Sequence, residues 1–204
     1  MVERQLRRRG IHDERVLAAM GRAPRELFVP PELRDRAYED GALPIGHGQT
    51  ISQPFVVASM CQLLSLRGRE RVLDVGTGSG YGACVLAELA LEVVSIERIP
   101  ELADSARRAL ALAGHGDVEV RVGDGSTGAP DRAPFDAIAV AAAAPGIPGT
   151  LVRQLAPGGR LVIPLGPRCG QELTLVERGP TGLVRRRSLP VRFVPLVGPE
   201  GFDR

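Results

Sequence analysis

The sequence predicts an α/β fold: a doubly wound, mostly parallel sheet of seven strands with a helical annex at its N-terminal end. Three observations predict it. From Arg71 onward, short apolar runs alternate with segments of helical spacing. A glycine-rich turn, GTGSGYG, follows the first of those runs. A chain of 204 residues that is 44% hydrophobic and 25% charged is long and apolar enough for one buried core.

The elements follow in chain order. Val16, Leu17 and Met20 recur at helical spacing, and a second short helix is expected after Pro24, ending at Phe28. Pro30 and Pro31 break it, Pro31 being suited to the first turn of a third helix. Arg7, Arg8 and Arg9 form a basic run that reads as a solvated helix face, with a nucleic-acid contact as the alternative. Residues 41–54, GALPIGHGQTISQP, lack periodicity and have the composition of a loop. Val56, Val57, Met60, Leu63 and Leu64 then restore helical spacing over 55–66. RVLDV is the first strand, followed by the glycine turn and a helix over about 82–90. EVVSIE is the second strand, and ELADSARRALALA is a helix. VEVRV, FDAIAV and GRLVIPLG are the third to fifth strands; ELTLVER and VRFVPLVG supply the last two. We read residues 1–204 as one domain with three parts: 1–54, 55–166 and 167–204.

Composition excludes several chemistries. All 26 basic residues are arginines, so a lysine nucleophile, a Schiff base and a phosphate-loop lysine are ruled out. Cys61, Cys84 and Cys169 are odd in number and form no CxxC pair, so neither a disulfide framework nor a zinc cage is expected. The N-terminal MVERQLRRRG is charged with no apolar stretch behind it, so no signal peptide is expected. No apolar run approaches the roughly 20 residues of a membrane span. A net charge of +2 argues against a polyanion partner. The expectation is a cytoplasmic protein with neither nucleic acid nor membrane as partner.

Three signals carry chemistry, each at the C-terminal end of a successive expected strand, where open α/β sheets bind ligands. The first is Asp74-Val75-Gly76-Thr77-Gly78-Ser79-Gly80-Tyr81-Gly82. A dinucleotide loop of the GxGxxG type needs glycine where Tyr81 stands; the GxGxG spacing favours S-adenosylmethionine, with a dinucleotide or a ligand-free glycine turn as alternatives. The second is Glu97, 21 residues after Gly76 at the tip of the second strand, where a carboxylate can accept two ribose hydroxyls. The third is Gly123-Asp124-Gly125, where Asp124 can accept an adenine amino proton and the glycines admit a flat ring. After the fourth strand the chain reads AVAAAAPGIP, without the Asp/Asn-Pro-Pro-aromatic motif of amino-methylating nucleic-acid enzymes. No acid cluster suited to a metal accompanies Asp136.

GHGQTISQP, LDVGTGSGY, VVSIER, VGDG, PFDAIAVAAAAPGIP, LAPGGRLVIPLG and FVPLVG together resemble the protein-L-isoaspartate O-methyltransferase family over essentially the whole chain. The resemblance implies a Rossmann-like class I methyltransferase fold. It implies methyl transfer from S-adenosylmethionine, leaving S-adenosylhomocysteine, to the α-carboxylate of L-isoaspartyl residues in damaged proteins and peptides. The ester then collapses to a succinimide, and no metal takes part. By the same resemblance Ser52 is the active-site serine, orienting the acceptor carboxylate, and Thr50 and Gln53 shape its loop. Gly76, Thr77, Gly78, Glu97, Asp124 and Gly125 are expected to hold the cofactor, and the enzyme is expected to be a monomer. The residues suit that chemistry independently. A carboxylate is ionised at pH 7 and needs no strong base, so catalysis is largely positioning and desolvation. Two positions differ from many members of the resembled family: Ser126 stands where relatives often carry an aromatic after GDG, and Phe55 where some carry a histidine after Pro54.

Overall fold

The computed structural model describes residues 1–203. Seven strands form the main sheet: β3 (Arg71–Val75), β4 (Glu92–Glu97), β5 (Glu119–Val122), β6 (Phe135–Val140), β7 (Leu155–Leu165), β8 (Gln171–Gly179) and β9 (Gly182–Val191). They lie in the order β5-β4-β3-β6-β7-β8-β9. The first five pair in parallel, whereas β8 and β9 are added antiparallel.

Strand periodicity of two divides the apolar residues between the faces. Val72, Val93, Val120, Ala137 and Val162 point to one side. They are covered by the annex helix α1 (Glu14–Arg22) and by α2 (Pro54–Leu64), α3 (Tyr81–Ala87) and α4 (Pro100–Leu112). Leu73, Val94, Ile138, Val140, Leu161 and Ile163 point to the other side. Among the described residues, the short helix α5 (Gly149–Arg153) and irregular segments cover that face. Asp13 caps α1, its carboxylate accepting from the backbone of Arg15 at 2.9 Å. Pro54 and Pro100 each open a helix where no backbone donor is needed. Among the described residues no helix is long and apolar enough to cross a membrane.

Four expectations need correction. The helices read at Arg25–Phe28 and Pro31–Arg36 are short 3-10 turns, too brief for a full α-helical ladder. Residues 41–54 are not simply loop: β1 (Leu43–Gly46) and β2 (Gln49–Ile51) form a hairpin, with Leu43 opposite Ile51. Its turn is built from Gly46, His47 and Gly48, all with positive φ (89°, 53° and 70°). Helix α5 was unanticipated in a stretch of five residues between prolines and glycines. The seventh strand is Gly182–Val191, not VRFVPLVG. β9 is an edge strand with both faces largely solvated, so its sequence, GLVRRRSLPV, shows no apolar alternation. Residues 192–197 instead cross the ends of the parallel strands. There the Ala143 amide donates to Val194 at 2.8 Å, and the Leu196 amide donates to Ala143 at 2.7 Å.

Phe135 is fully buried in the thinly covered face. Phe135→Ala should therefore cost about 3–5 kcal/mol, read as a lower urea midpoint at unchanged m-value.

Candidate active site

The strand order reverses beside β3: the chain runs outward through β4 and β5, then returns to β6 on the other side. Connections that leave in opposite directions open a crevice at the C-terminal strand ends. A cavity of about 200 Å³ occupies it. Gly76, Thr77 and Gly78 after β3 line it, with Glu97 at the end of β4, Gly125 after β5, and Ala141 and Ala142 after β6. Gly76 and Gly78 have φ of 94° and 55°, a conformation that L side chains avoid. At Gly125 a Cβ would fall 2.6 Å from Val75 Cγ1, so only glycine lets the backbone approach β3 there.

Two buried carboxylates, Asp74 and Glu97, line this cavity, and neither forms an ion pair among the described residues. Glu97 accepts the Gly78 amide at 2.8 Å and the Ile99 amide at 3.0 Å. It thereby holds the glycine loop against β4 while each oxygen keeps further acceptor capacity. Asp74 accepts the Ser95 hydroxyl at 2.6 Å. Ser95 has one proton and gives it to Asp74, so Thr77 must donate in the 2.5 Å Thr77–Ser95 contact. Burial pushes the Asp74 carboxyl up to about 6, opposed by the Ser95 hydrogen bond and reinforced by the Glu97 charge. A cavity with two buried acids in no ion pair among the described residues, and the exposed Arg98 as its one lining arginine, suits a cationic, hydroxyl-bearing guest. The glycine backbone leaves room for its flat part.

A second cavity, about 440 Å³, adjoins the first. Arg9, Gln53, Phe55 and the segment Leu189–Val194 line it. Thr50, Ser52, Ala141 and Val194 line both, so the hairpin strand end and the C-terminal segment form the partition. Ser52 is half-buried there, and its carbonyl accepts from Arg25 Nη2 at 2.8 Å. Arg25 is fully buried, donates through Nε to the Ala37 carbonyl at 2.7 Å, and lies 4.6 Å from the Tyr81 ring centroid. Gln53 Nε2 donates to Asp40 Oδ1 at 2.8 Å, which ties the loop to the annex.

The structure thus brings Gly76, Thr77, Gly78, Glu97 and Gly125 into one cavity, and Thr50 and Ser52 to its wall. Gln53 faces only the second cavity. Asp124 stands outside both linings: it is exposed, and its Oδ1 accepts the Ser126 amide at 2.9 Å as the cap of a short turn. His47 lies at the hairpin turn and lines neither cavity. Asp74, Ser95, Arg25 and Val194–Val197 escaped sequence reasoning as site residues. For Asp74 a signal existed, a lone carboxylate in an otherwise apolar strand. For Arg25, one arginine in an arginine-rich annex, there was none.

A glycine loop, a strand-end carboxylate and a switch-point crevice without a pyrophosphate loop define a class I S-adenosylmethionine-dependent methyltransferase. A family model for protein-L-isoaspartate(D-aspartate) O-methyltransferases matches residues 1–201. Protein-L-isoaspartate O-methyltransferase 1 of Syntrophobacter fumaroxidans is 56% identical over 203 residues, covering 100% of this chain and 95% of the relative. Protein-L-isoaspartate O-methyltransferase 2 of Marinobacter nauticus is 58% identical over 204 residues, covering 99% and 93%. A solved structure from Plasmodium falciparum, described as a protein-L-isoaspartate O-methyltransferase in complex with S-adenosyl-L-homocysteine, superposes with a TM-score of 0.83. It has 26% identity, with 96% of each chain covered. The chain belongs to the protein-L-isoaspartate O-methyltransferase family.

The buried Asp74 makes a measurable signature. Its carboxyl is raised above the ordinary value, so the folded chain holds that proton to higher pH than the unfolded chain. Its contribution to stability therefore falls as pH rises from the ordinary carboxylate range through about 6. Two pKa units correspond to about 3 kcal/mol. Asp74→Asn should be more stable than the parent at pH 7.5 in the absence of cofactor, by an amount of that order. The difference should vanish as pH falls toward the ordinary carboxylate range. Urea unfolding of both proteins across that range checks it.

Proposed function

We propose that this protein transfers a methyl group from S-adenosylmethionine to the α-carboxylate of L-isoaspartyl residues in damaged proteins and peptides, initiating repair through a succinimide. The observation that carries the reading is the pair of cavities meeting at Thr50 and Ser52, one lined by acids and glycines, the other open to a peptide. When bound, S-adenosylmethionine supplies an electrophilic methyl on a sulfonium.

The chain's own residues bind and orient. Glu97 accepts the ribose hydroxyls, and its bond to the Gly78 amide fixes the loop that cradles the nucleoside. Asp74 is the counter-charge for the amino-acid ammonium, a role supported by its burial without a basic partner. Gly125 gives the adenine ring room. Asp124, next to it, remains the candidate acceptor for the adenine amino group from the rim. Ser52 donates its hydroxyl to the acceptor carboxylate and aims one oxygen through the partition. Thr50 lines the passage, and Gln53 holds the loop's outer turn through Asp40. No residue must take a proton, because the carboxylate arrives ionised.

In this reading residues 1–54 supply the acceptor loop and its support, 55–166 the cofactor-binding core and 167–204 the closing strands. The protein acts as a cytoplasmic monomer without nucleic-acid or membrane partners. Its three unpaired thiols and near-neutral net charge support that assignment.

Labelled S-adenosylmethionine offered with paired peptides differing only in Asp or isoAsp tests the activity. Base-labile methyl ester on the isoAsp peptide alone is expected, and label on neither would refute the reading. Ser52→Ala should lower turnover about ten- to a hundredfold, as for loss of a charge-assisted hydrogen bond of about 1.5–3 kcal/mol. Cofactor affinity should stay nearly intact. Glu97→Gln keeps an oxygen for a backbone amide but removes the charge. Titration calorimetry should find cofactor affinity about tenfold weaker.

A further inference from the structure

The second cavity carries a charge that methyl transfer to a carboxylate does not itself require. Arg9 and Arg192 line it from opposite ends of the chain, and no carboxylate does. Arg9 is held in place: its guanidinium lies 3.7 Å from the centre of the Phe55 ring, and its Nη1 contacts Asp40 Oδ2 at 2.8 Å. Arg192 is exposed and makes no ion pair among the described residues. Behind the partition, Arg25 is buried and donates to the Ala37 and Ser52 carbonyls, and among the described residues no carboxylate pairs with it. Two guanidinium groups thus line the acceptor cavity and a third lies behind its wall, with the carboxylate of Asp40 shared between Arg9 and Gln53.

We infer that the acceptor cavity selects isoaspartyl sites flanked by acidic side chains, with Arg192 and Arg9 as the specificity-determining residues. The inference rests on the proposed function, since it concerns the peptide that reaches Ser52. The isoaspartyl carboxylate occupies the partition. An Asp or Glu beside it reaches the solvent-facing arginines, whereas a Lys or Arg meets like charge. Both arginines are solvated, so each contact is modest and screened by salt. Preference therefore comes from summing attraction on one peptide against repulsion on the other.

The test uses one peptide sequence with a central isoAsp and Glu, Ala or Arg on both sides. The order of kcat/KM should be Glu, Ala, Arg, with about three- to tenfold for each exchange of Glu for Arg at low ionic strength. The spread should lie in KM, and it should shrink at about 0.5 M salt as screening shortens the reach of the charges. Arg192→Glu, at an exposed position, should reduce or invert the order. Equal kcat/KM for the three peptides would overturn the inference, as would an order that Arg192→Glu leaves unchanged. Failure of the proposed function looks different: the Ala-flanked peptide would then receive no methyl at all.

Discussion

The Arg25 guanidinium is the constraint on which the geometry of the site depends. It is fully buried among annex, hairpin and core, and burial lowers its affinity for a proton without removing the charge. Its donors reach the Ala37 and Ser52 carbonyls, and its plane lies against Tyr81, the first residue of the helix that follows the glycine loop. One side chain therefore registers the acceptor loop against the cofactor loop. Phe28 completes the joint, its ring centre 5.8 Å from that of Tyr81. A leucine at position 25 would fill the space but leave the buried Ala37 carbonyl and the half-buried Ser52 carbonyl without their donor, which is the costly half of such an exchange. Tyr81, which departs from a dinucleotide loop, has a structural reason here: its ring is part of that registration.

Two fields of opposite sign meet at Ser52. The cofactor cavity holds the buried Asp74 and Glu97, with the exposed Arg98 its one lining arginine, whereas Arg9 and Arg192 are the charged residues lining the acceptor cavity. A cationic donor and an anionic acceptor are each drawn to the side that suits them. Methyl transfer between them destroys both charges: the sulfonium becomes a thioether and the carboxylate an ester. Both products then lose part of what held the reactants. A charge-annihilating displacement also gains from being taken out of water, because solvent stabilises the separated ions more than their shared transition state. The apolar partition residues Ala141 and Val194 fit that requirement.

What was legible in the sequence was whatever a repeating environment imposes. β3, β4 and β6 are buried on both faces, so RVLDV, EVVSIE and FDAIAV stand out as apolar runs, and the glycines after β3 mark a turn that side chains cannot make. Glu97 was legible because its distance from Gly76 is set by one strand–helix–strand unit. What was hidden lacked such repetition. β9 is solvated on both faces and reads as polar. The hairpin's strands are three and four residues long, too short to show a period. Asp124, an expected cofactor contact, also caps the Ser126 amide from the rim, a second task that its glycine neighbours do not signal. Arg25 carries no local sign of burial, since its neighbours in sequence are not its neighbours in space.

VRFVPLVG shows how an apolar pattern can mislead about type while being right about burial. Its alternation is real, but it answers to two cavities rather than to the two faces of a sheet. Residues 194–197 line the cofactor cavity, and Leu189–Val194 line the acceptor cavity. The segment is fastened at both ends of this span. Phe193 donates its amide to Gln171 Oε1 at 2.9 Å, and Glu200 accepts from the Thr150 amide at 2.8 Å at the start of α5. Between these anchors Gly198 passes so close to the turn after β5 that a Cβ would collide with the Ser126 hydroxyl and fall 2.6 Å from Asp124 Oδ1. The buried Ser126 and Gly198 are thus two sides of one contact, and together they seat the segment that separates donor from acceptor.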